Sequence, residues 1–106
     1  MNINELLTAS RDALSQTSND APLLSLAVEA ERMADMVGWA NGPIDPQGRI
    51  AAVVDDLKQQ ARRRFEETRS ANAAQLHDAL ADLINAIASH DDDLKPDGIG
   101  ASEDDG

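Results

Sequence analysis

Apolar residues recur every three or four positions along most of the chain, which is the spacing of one face of an α-helix. The pattern predicts four helices: over about 3–16, over 21–40, from 46 to a break near 66–72, and from that break to about 88. We therefore expect an all-α fold, a small antiparallel helical bundle of three to four helices. In the three-helix form the first helix is mobile.

The clearest loop lies at 41–48, which holds two of the four prolines and two of the six glycines. Asp45 followed by Pro46 predicts the N-cap and the first residue of the third helix. Because this loop is short, the second and third helices are expected to form an antiparallel hairpin at the centre of the fold.

The third and fourth helices are separated by segment 66–72, which contains no large apolar residue. A break is favoured there, with Ser70 or Asn72 as the cap of the fourth helix. A single helix over 46–89 is the alternative, since the two apolar stripes differ in phase by about one residue.

The core has to be built from aliphatic side chains and alanine, because Trp39 and Phe65 are the only aromatic residues. So thin a core predicts low stability of the isolated chain or support from self-association. The expected core residues are Leu6, Leu26, Met33, Val37, Ile50, Val54, Leu57, Leu76, Leu80, Leu83 and Ile87.

The second helix is apolar well beyond one stripe, because Leu24, Val28, Met36 and Trp39 lie outside its main stripe. A helix of this kind either lies at the centre of a fold or has a second face for a partner. For Trp39, packing against the third helix is the favoured interpretation, and an interface anchor is the other.

The formal net charge of -11 argues against general binding to nucleic acid or to anionic membranes. Six of the nine basic residues nevertheless lie within 49–69, and segment 49–70 has a net charge of +2. Arg62, Arg63 and Arg64 are consecutive and spread over about 200° of a helix, so they cannot all face one way. They predict a solvated face, contact with phosphate or an acidic protein surface, or transient cover by the acidic tail of the same chain.

The last eighteen residues, 89–106, are acidic and interrupted by proline and glycine. They predict a disordered acidic C-terminal tail, which divides the chain into a domain at 1–88 and a tail at 89–106. We expect that removal of 91–106 leaves the fold intact, and that the run from His90 to Asp93 is solvated rather than a metal site.

No chemistry of catalysis stands out. Cysteine is absent, which excludes disulfides and thiolate sites, and no nucleotide-binding or nucleophile motif occurs. His77 and Asp78 are adjacent on a helix, where side chains point about 100° apart, so no pairing is expected. We expect no enzyme, no catalytic residue, no cofactor and no metal. With neither a secretory signal nor a membrane span, a cytoplasmic protein is expected.

The function expected is therefore contact with a protein partner or with a second copy, as an adaptor, inhibitor or regulatory module. The alternative is an acidic mimic of nucleic acid that blocks a basic DNA- or RNA-binding protein, such as a phage-type inhibitor of host defence. Direct nucleic-acid binding ranks last. Alanine-rich helical proteins are common among unrelated small bacterial and phage proteins, so the architecture indicates no family. The residues predicted to contact a partner are Trp39, Met36, Val28, Arg62, Arg63, Arg64, Glu29, Glu31 and Asp35.

Overall fold

The structure is a computed structural model, which describes residues 2–16, 18–37, 39 and 42–93. These residues form helices and their connections, with no strand among them, so the predicted all-α class is confirmed. The helices are α1 (Ile3–Ser15), α2 (Ala21–Val37), α3 (Arg49–Thr68) and α4 (Ala71–Asp93).

The first two helices begin with side-chain caps. At α1, Asn2 Oδ1 accepts a hydrogen bond from the Glu5 amide at 2.8 Å, and Glu5 Oε1 accepts one from the Asn2 amide at 2.9 Å. This reciprocal pair is a capping box, which satisfies amides that the helix itself leaves unpaired. At α2, Asn19 Oδ1 accepts from the Ala21 amide at 3.0 Å.

The start of α3 differs from the prediction, because the helix begins three residues after Pro46. A turn intervenes, in which Gly48 adopts a left-handed backbone with φ of 70°. Asp45 still caps the helix across this turn, since its carboxylate accepts from the amides of Ile50 and Ala51 at 3.0 and 2.8 Å. The prediction that the Asp45 side chain caps this helix is therefore confirmed. The prediction that Pro46 is the first helical residue is wrong, because Gly48 is the N-cap residue and the helix begins at Arg49.

The break between α3 and α4 is where the polar segment predicts it, so the continuous helix over 46–89 is wrong. Arg69 adopts a left-handed backbone with φ of 58°, which ends α3. Its amide donates to the Phe65 carbonyl at the end of that helix. Ser70 then caps α4, because its hydroxyl accepts from the Ala73 amide at 3.2 Å.

The central helix is α4, which packs along both α2 and α3, while α1 packs against the same two helices. Between Ala21–Val37 and Arg49–Thr68 there is no close backbone approach, so the expected central hairpin of α2 and α3 is wrong. The reason lies in the two connections. The connection between α3 and α4 has only two residues, 69–70, so α4 must fold back against α3. The connection between α2 and α3, residues 38–48, is long enough for α3 to lie on the far side of α4.

Contacts between helix ends show how α2 and α4 are aligned. The Asn72 side-chain amide donates to the Asp20 carbonyl at 3.1 Å, which joins the first turns of the two helices. Further along, Ala34 and Ala86 line the same groove. The two helices therefore run side by side in the same direction, so the expected antiparallel arrangement is wrong for this pair.

Ten of the eleven expected core residues are buried, and Ile50 is half-buried at the edge of the core. The list of expected core residues left out Leu7, Leu23 and the inward-facing alanines, although the apolar stripes of the predicted helices include them. Alanine has little side chain, so it lets neighbouring helices come close together. The buried alanines are Ala13, Ala27, Ala30, Ala61, Ala73 and Ala79.

The predicted start of the tail at residue 89 is also corrected, because α4 continues to Asp93. Two contacts to the distant loop account for the extra helix. The ring of His90 is buried, with Nε2 at 3.2 Å from the Gly42 carbonyl oxygen, and Asp91 Oδ1 accepts from the Ile44 amide at 2.9 Å. The remainder of the predicted tail, residues 94–106, lies outside the described residues.

The Asp91 contact changes the expected effect of truncation. Asp91→Ala is expected to lower the free energy of unfolding by about 0.5–1.5 kcal/mol, because the partly buried Ile44 amide loses its acceptor. Deletion of 91–106 is expected to cost at least as much. Urea denaturation measures both, with Ser89→Ala, at an exposed position of the same helix, as the control. Equal urea midpoints for the native chain, Asp91→Ala, the 91–106 deletion and Ser89→Ala would contradict the contact between Asp91 and Ile44.

Candidate protein-interaction surface

Four large apolar side chains lie exposed at the surface of the described chain: Trp39 at 85%, Val28 at 58%, Met36 at 53% and Leu24 at 43%. We call these four residues the α2 outer face. They are the residues that the sequence pattern could not place in the main stripe of the second helix.

Helix geometry places this face away from the core. Leu24, Val28 and Met36 are separated by four and eight residues, so they form one row about 18 Å long at 1.5 Å per residue. Arg32 occupies the remaining position of the row. The buried residues of α2 lie on the other side of the helix, namely Leu23, Leu26, Ala27, Ala30, Met33 and Val37.

Trp39 does not pack against α3, so the favoured interpretation of that residue is wrong. α2 ends at Val37, and Trp39 lies in the following turn with its amide donating to the Met36 carbonyl at 3.0 Å. The indole is 85% exposed, so it packs against neither α3 nor any other helix. Trp39 is therefore an exposed residue in the turn that follows Met36, the last member of the row.

Charge is neutralised on one flank of the row. Arg32 binds the Glu29 carboxylate through Nε, 3.3 Å from Oε1, and through a second contact from Nη2. The hydrogen bond from Arg32 lowers the pKa of Glu29, and the same contact raises the pKa of Arg32. Nη1 of Arg32 also lies 3.0 Å from Met36 Sδ, which holds the arginine along the helix.

The other flank carries unneutralised carboxylates. An open groove of about 480 Å³ separates α2 from α4 and is lined by Glu31, Ala34 and Asp35 on one side and Asp82 and Ala86 on the other. We call it the α2–α4 groove. Among the described residues, none of its three carboxylates has an ion-pair partner. It therefore presents negative charge directly beside the exposed apolar row.

A second, more apolar groove meets the row at Met36, its C-terminal end. It has a volume of about 210 Å³ and lies between the start of α1 and the end of α2. Because Met36 lines this groove and belongs to the α2 outer face, the two surfaces are continuous. The groove is lined by Asn2, Ile3, Arg32, Met33, Met36, Val37 and Ile44.

The three consecutive arginines are divided by the fold. Arg62 and Arg63 are exposed, and Arg62 Nε lies 3.4 Å from Glu66 Oε2. Arg64 is 7% exposed and turned inward. Its position was visible in the sequence, because residue 64 falls three positions after the buried Ala61, on the stripe that packs inward.

Arg64 joins three helices at one end of the molecule. Its Nη1 donates to the Leu14 carbonyl at the end of α1 at 3.2 Å, and Nη2 donates to the Asp20 carboxylate at the start of α2. The Ser70 hydroxyl and the Arg64 guanidinium together lower the pKa of Asp20. This cluster supports the fold, and of the predicted arginines only Arg62 and Arg63 lie at the surface.

The lowered pKa of Asp20 predicts a pH dependence of stability. The Asp20 carboxyl releases its proton at lower pH in the folded than in the unfolded chain, so its stabilisation is present above the ordinary aspartate pKa and lost as pH falls through the folded one. Asp20→Asn is therefore expected to weaken the decline of the urea midpoint between about pH 5 and pH 2. Asp12→Asn, at an exposed position of α1, is the control and should retain the decline.

His77 and Asp78 make a contact that adjacent positions on a helix did not suggest. His77 Nδ1 lies 3.2 Å from Asp78 Oδ1, so the expectation that the two do not pair is wrong. The carboxylate is 82% exposed, and its side chain bends towards the ring. The pair lies on α4 beside α3, away from the α2 outer face.

Three further findings concern metal sites, membrane spans and known proteins. Among the described residues, no group of three or more histidine or acidic side chains is arranged to hold a metal ion. Nor is any described helix both long and apolar enough to cross a membrane. No protein-family model matches the chain, and neither curated proteins nor solved structures give a match. Fold and surface together define a small all-α protein with an uncovered apolar face on one helix.

The exposure of Trp39 predicts that its removal leaves the fold undisturbed. Trp39→Ala is expected to change the free energy of unfolding by no more than about 0.5 kcal/mol, because the indole has almost no packing to lose. In the native protein, acrylamide should quench its fluorescence nearly as well as after unfolding. Met33→Ala, at a buried position of α2, is the control and should cost about 2–5 kcal/mol.

Proposed function

We propose that this chain is a small non-enzymatic cytoplasmic protein with an all-α helical fold, which acts through protein–protein contacts as an adaptor, inhibitor or regulatory module. The α2 outer face is its binding surface. The observation that carries the proposal is the exposure of Leu24, Val28 and Met36 on one side of α2, with Trp39 exposed two residues beyond the end of the helix. Single exposed apolar residues are ordinary on protein surfaces, but a row of them is typical of an interaction site.

The energy available from this surface supports the proposal. Complete burial of a fully exposed large apolar side chain contributes roughly 1.5–3 kcal/mol. Leu24, Val28 and Met36 are only about half exposed, so they contribute less each, and with Trp39 they offset part of the entropy lost on association. Tryptophan is also enriched among the residues that dominate binding energy. A row of apolar side chains on an exposed helix is typical of recognition between a helix and a groove or a second helix.

Affinity enrichment from the native host tests the proposal with two charge-matched variants. Val28→Lys with Met36→Lys disrupts the α2 outer face, and Ala52→Lys with Gln59→Lys adds the same charge at exposed positions of α3. We expect at least one protein to be retained by the native chain and by the α3 variant, and to fall at least tenfold with the α2 variant. The same retained proteins with all three baits would overturn the proposal.

The salt dependence of any retained partner separates the two kinds of function. A partner held by apolar contact should survive a rise from about 0.1 to 0.5 M salt, where exposed charges are strongly screened. A basic nucleic-acid-binding protein that is lost with salt but kept by the α2 variant would instead favour an acidic mimic. Light scattering on the native chain tests for a second copy as the partner.

A further inference from the structure

The chemistry of the partner can be inferred from what flanks the α2 outer face. Resting on the proposed function, we propose that the α2 outer face and the α2–α4 groove together bind a basic amphipathic helix of another protein. Its apolar residues, spaced three or four apart, cover the row from Leu24 to Met36. Lysine or arginine residues on the adjoining side enter the groove.

The first step of the argument is the position of the carboxylates. Glu31 and Asp35 lie three and seven residues after Val28, which places them within about 60° of it around the helix. Both lie on the side of the row that faces α4, where Asp82 lines the same groove. A helix seated on the row therefore has carboxylates along one edge only.

The second step is that these charges are not neutralised within the described chain. On the opposite flank Arg32 is bound to Glu29, so that edge is close to neutral. Glu31, Asp35 and Asp82 have no such partner among the described residues. A cationic side chain in the groove would supply one, and the alanines at 34 and 86 leave space for its aliphatic stem.

A second copy of the chain is disfavoured by the same charges. Two α2 outer faces packed antiparallel would bring the same three carboxylates of each copy to one edge, in a protein whose net charge is -11. Like charges facing each other across an interface cost several kcal/mol and suppress that pairing. Charge complementarity therefore selects a cationic partner.

The length of the row sets the size of the partner. About 18 Å corresponds to roughly twelve residues of α-helix, or a little over three turns. The groove lies beside the C-terminal half of this row, at residues 31–35, so lysine or arginine residues one turn apart on the partner can reach it. The expected ligand is a basic amphipathic helix of about 12–15 residues.

The test uses the full chain and a synthetic 14-residue peptide of leucine and lysine, with leucines spaced three and four apart. Calorimetry and Trp39 fluorescence report binding. The first control peptide has every lysine replaced by glutamate, and the second has the same composition in an order without an apolar face. We expect the leucine–lysine peptide to bind with a blue shift of the Trp39 emission. The two control peptides are expected to bind at least tenfold more weakly.

Variants of the chain then locate the binding. The triple change Glu31→Gln, Asp35→Asn and Asp82→Asn is expected to weaken binding at least tenfold. The matched change Asp55→Asn, Asp56→Asn and Asp78→Asn removes as much charge elsewhere and should weaken binding less than threefold. Thermal melts of both variants confirm that they remain folded.

Each contrary result overturns the inference in a different way. Equal weakening by both triple variants would mean general charge attraction. Binding that is lost in Val28→Lys with Met36→Lys but unchanged in the groove triple would mean an apolar partner not selected by charge, which leaves the proposed function standing. A dimer in light scattering that this α2 variant dissociates would identify a second copy as the occupant.

Discussion

Leu80→Ala is expected to lower the free energy of unfolding by about 2–5 kcal/mol. Leu80 is completely buried in α4, the helix that packs against both α2 and α3. A cavity at this position loosens the contacts of the central helix. Domains of this size have only about 5–15 kcal/mol of stability in total, so the variant should be partly unfolded at moderate temperature.

Far-UV circular dichroism in urea is the suitable measurement, because the exposed Trp39 reports poorly on the core. Leu80→Met keeps most of the buried volume and is expected to cost less than about 1.5 kcal/mol. Asn85→Ala changes an exposed position of the same helix and should leave the midpoint nearly unchanged. If the alanine and methionine variants at position 80 unfold at the same urea concentration, α4 is not the centre of the core.

The helices and most of their inward faces could be predicted from the sequence, because a helix buries residues three and four apart whatever it packs against. The order of packing could not. The stripe of α3, for instance, shows that Val54 and Leu57 face inward, but it does not show that they face α4 rather than α2. The packing order is decided by the lengths of the two connections, residues 38–48 and residues 69–70. The apolar pattern carries no information on the path of the longer connection, 38–48.

The same distinction explains the candidate site. The excess of apolar residues on the second helix was visible as soon as its stripe was drawn, and Val28 and Met36 are exposed as that excess suggested. The prediction for Trp39 assumed that α3 packs against α2. Because α3 packs against α4 instead, that prediction was wrong as well. The groove beside the row combines residues of α2 and α4, and only the packing of these two helices brings Asp82 to Glu31 and Asp35.

Contacts between distant residues were hidden for a related reason. Asp91 and His90 looked like the start of an acidic tail, because their partners, Ile44 and Gly42, are 47 and 48 residues away in the chain. Composition describes a segment by itself, whereas these two side chains take their role from a loop elsewhere. Arg64 differs, since its place on the inward stripe was readable but its charge favoured a surface position.

Arg64→Ala is the second change expected to have a large effect, lowering the free energy of unfolding by about 2–4 kcal/mol. The substitution leaves the Leu14 carbonyl without this donor and the Asp20 carboxylate without its guanidinium. The cost should be less than for a fully buried ion pair, because Asp20 is 30% exposed and water can reach it. Arg64→Lys is expected to restore only part of the loss, since one ammonium cannot reproduce the two-pronged contact.

The neighbouring arginine is the matched control for this prediction. Arg63→Ala removes the same side chain from an exposed position one residue away and should change the free energy by no more than about 0.5 kcal/mol. A double-mutant cycle of Arg64→Ala with Asp20→Ala should give a coupling energy of at least about 1 kcal/mol. Equal effects at positions 63 and 64, or no coupling to Asp20, would show that Arg64 does not join α1, α2 and α3. A large difference between the two positions would show that Arg64 supports the fold. Of the three consecutive arginines of α3, only Arg62 and Arg63 would then be available to contact an acidic partner.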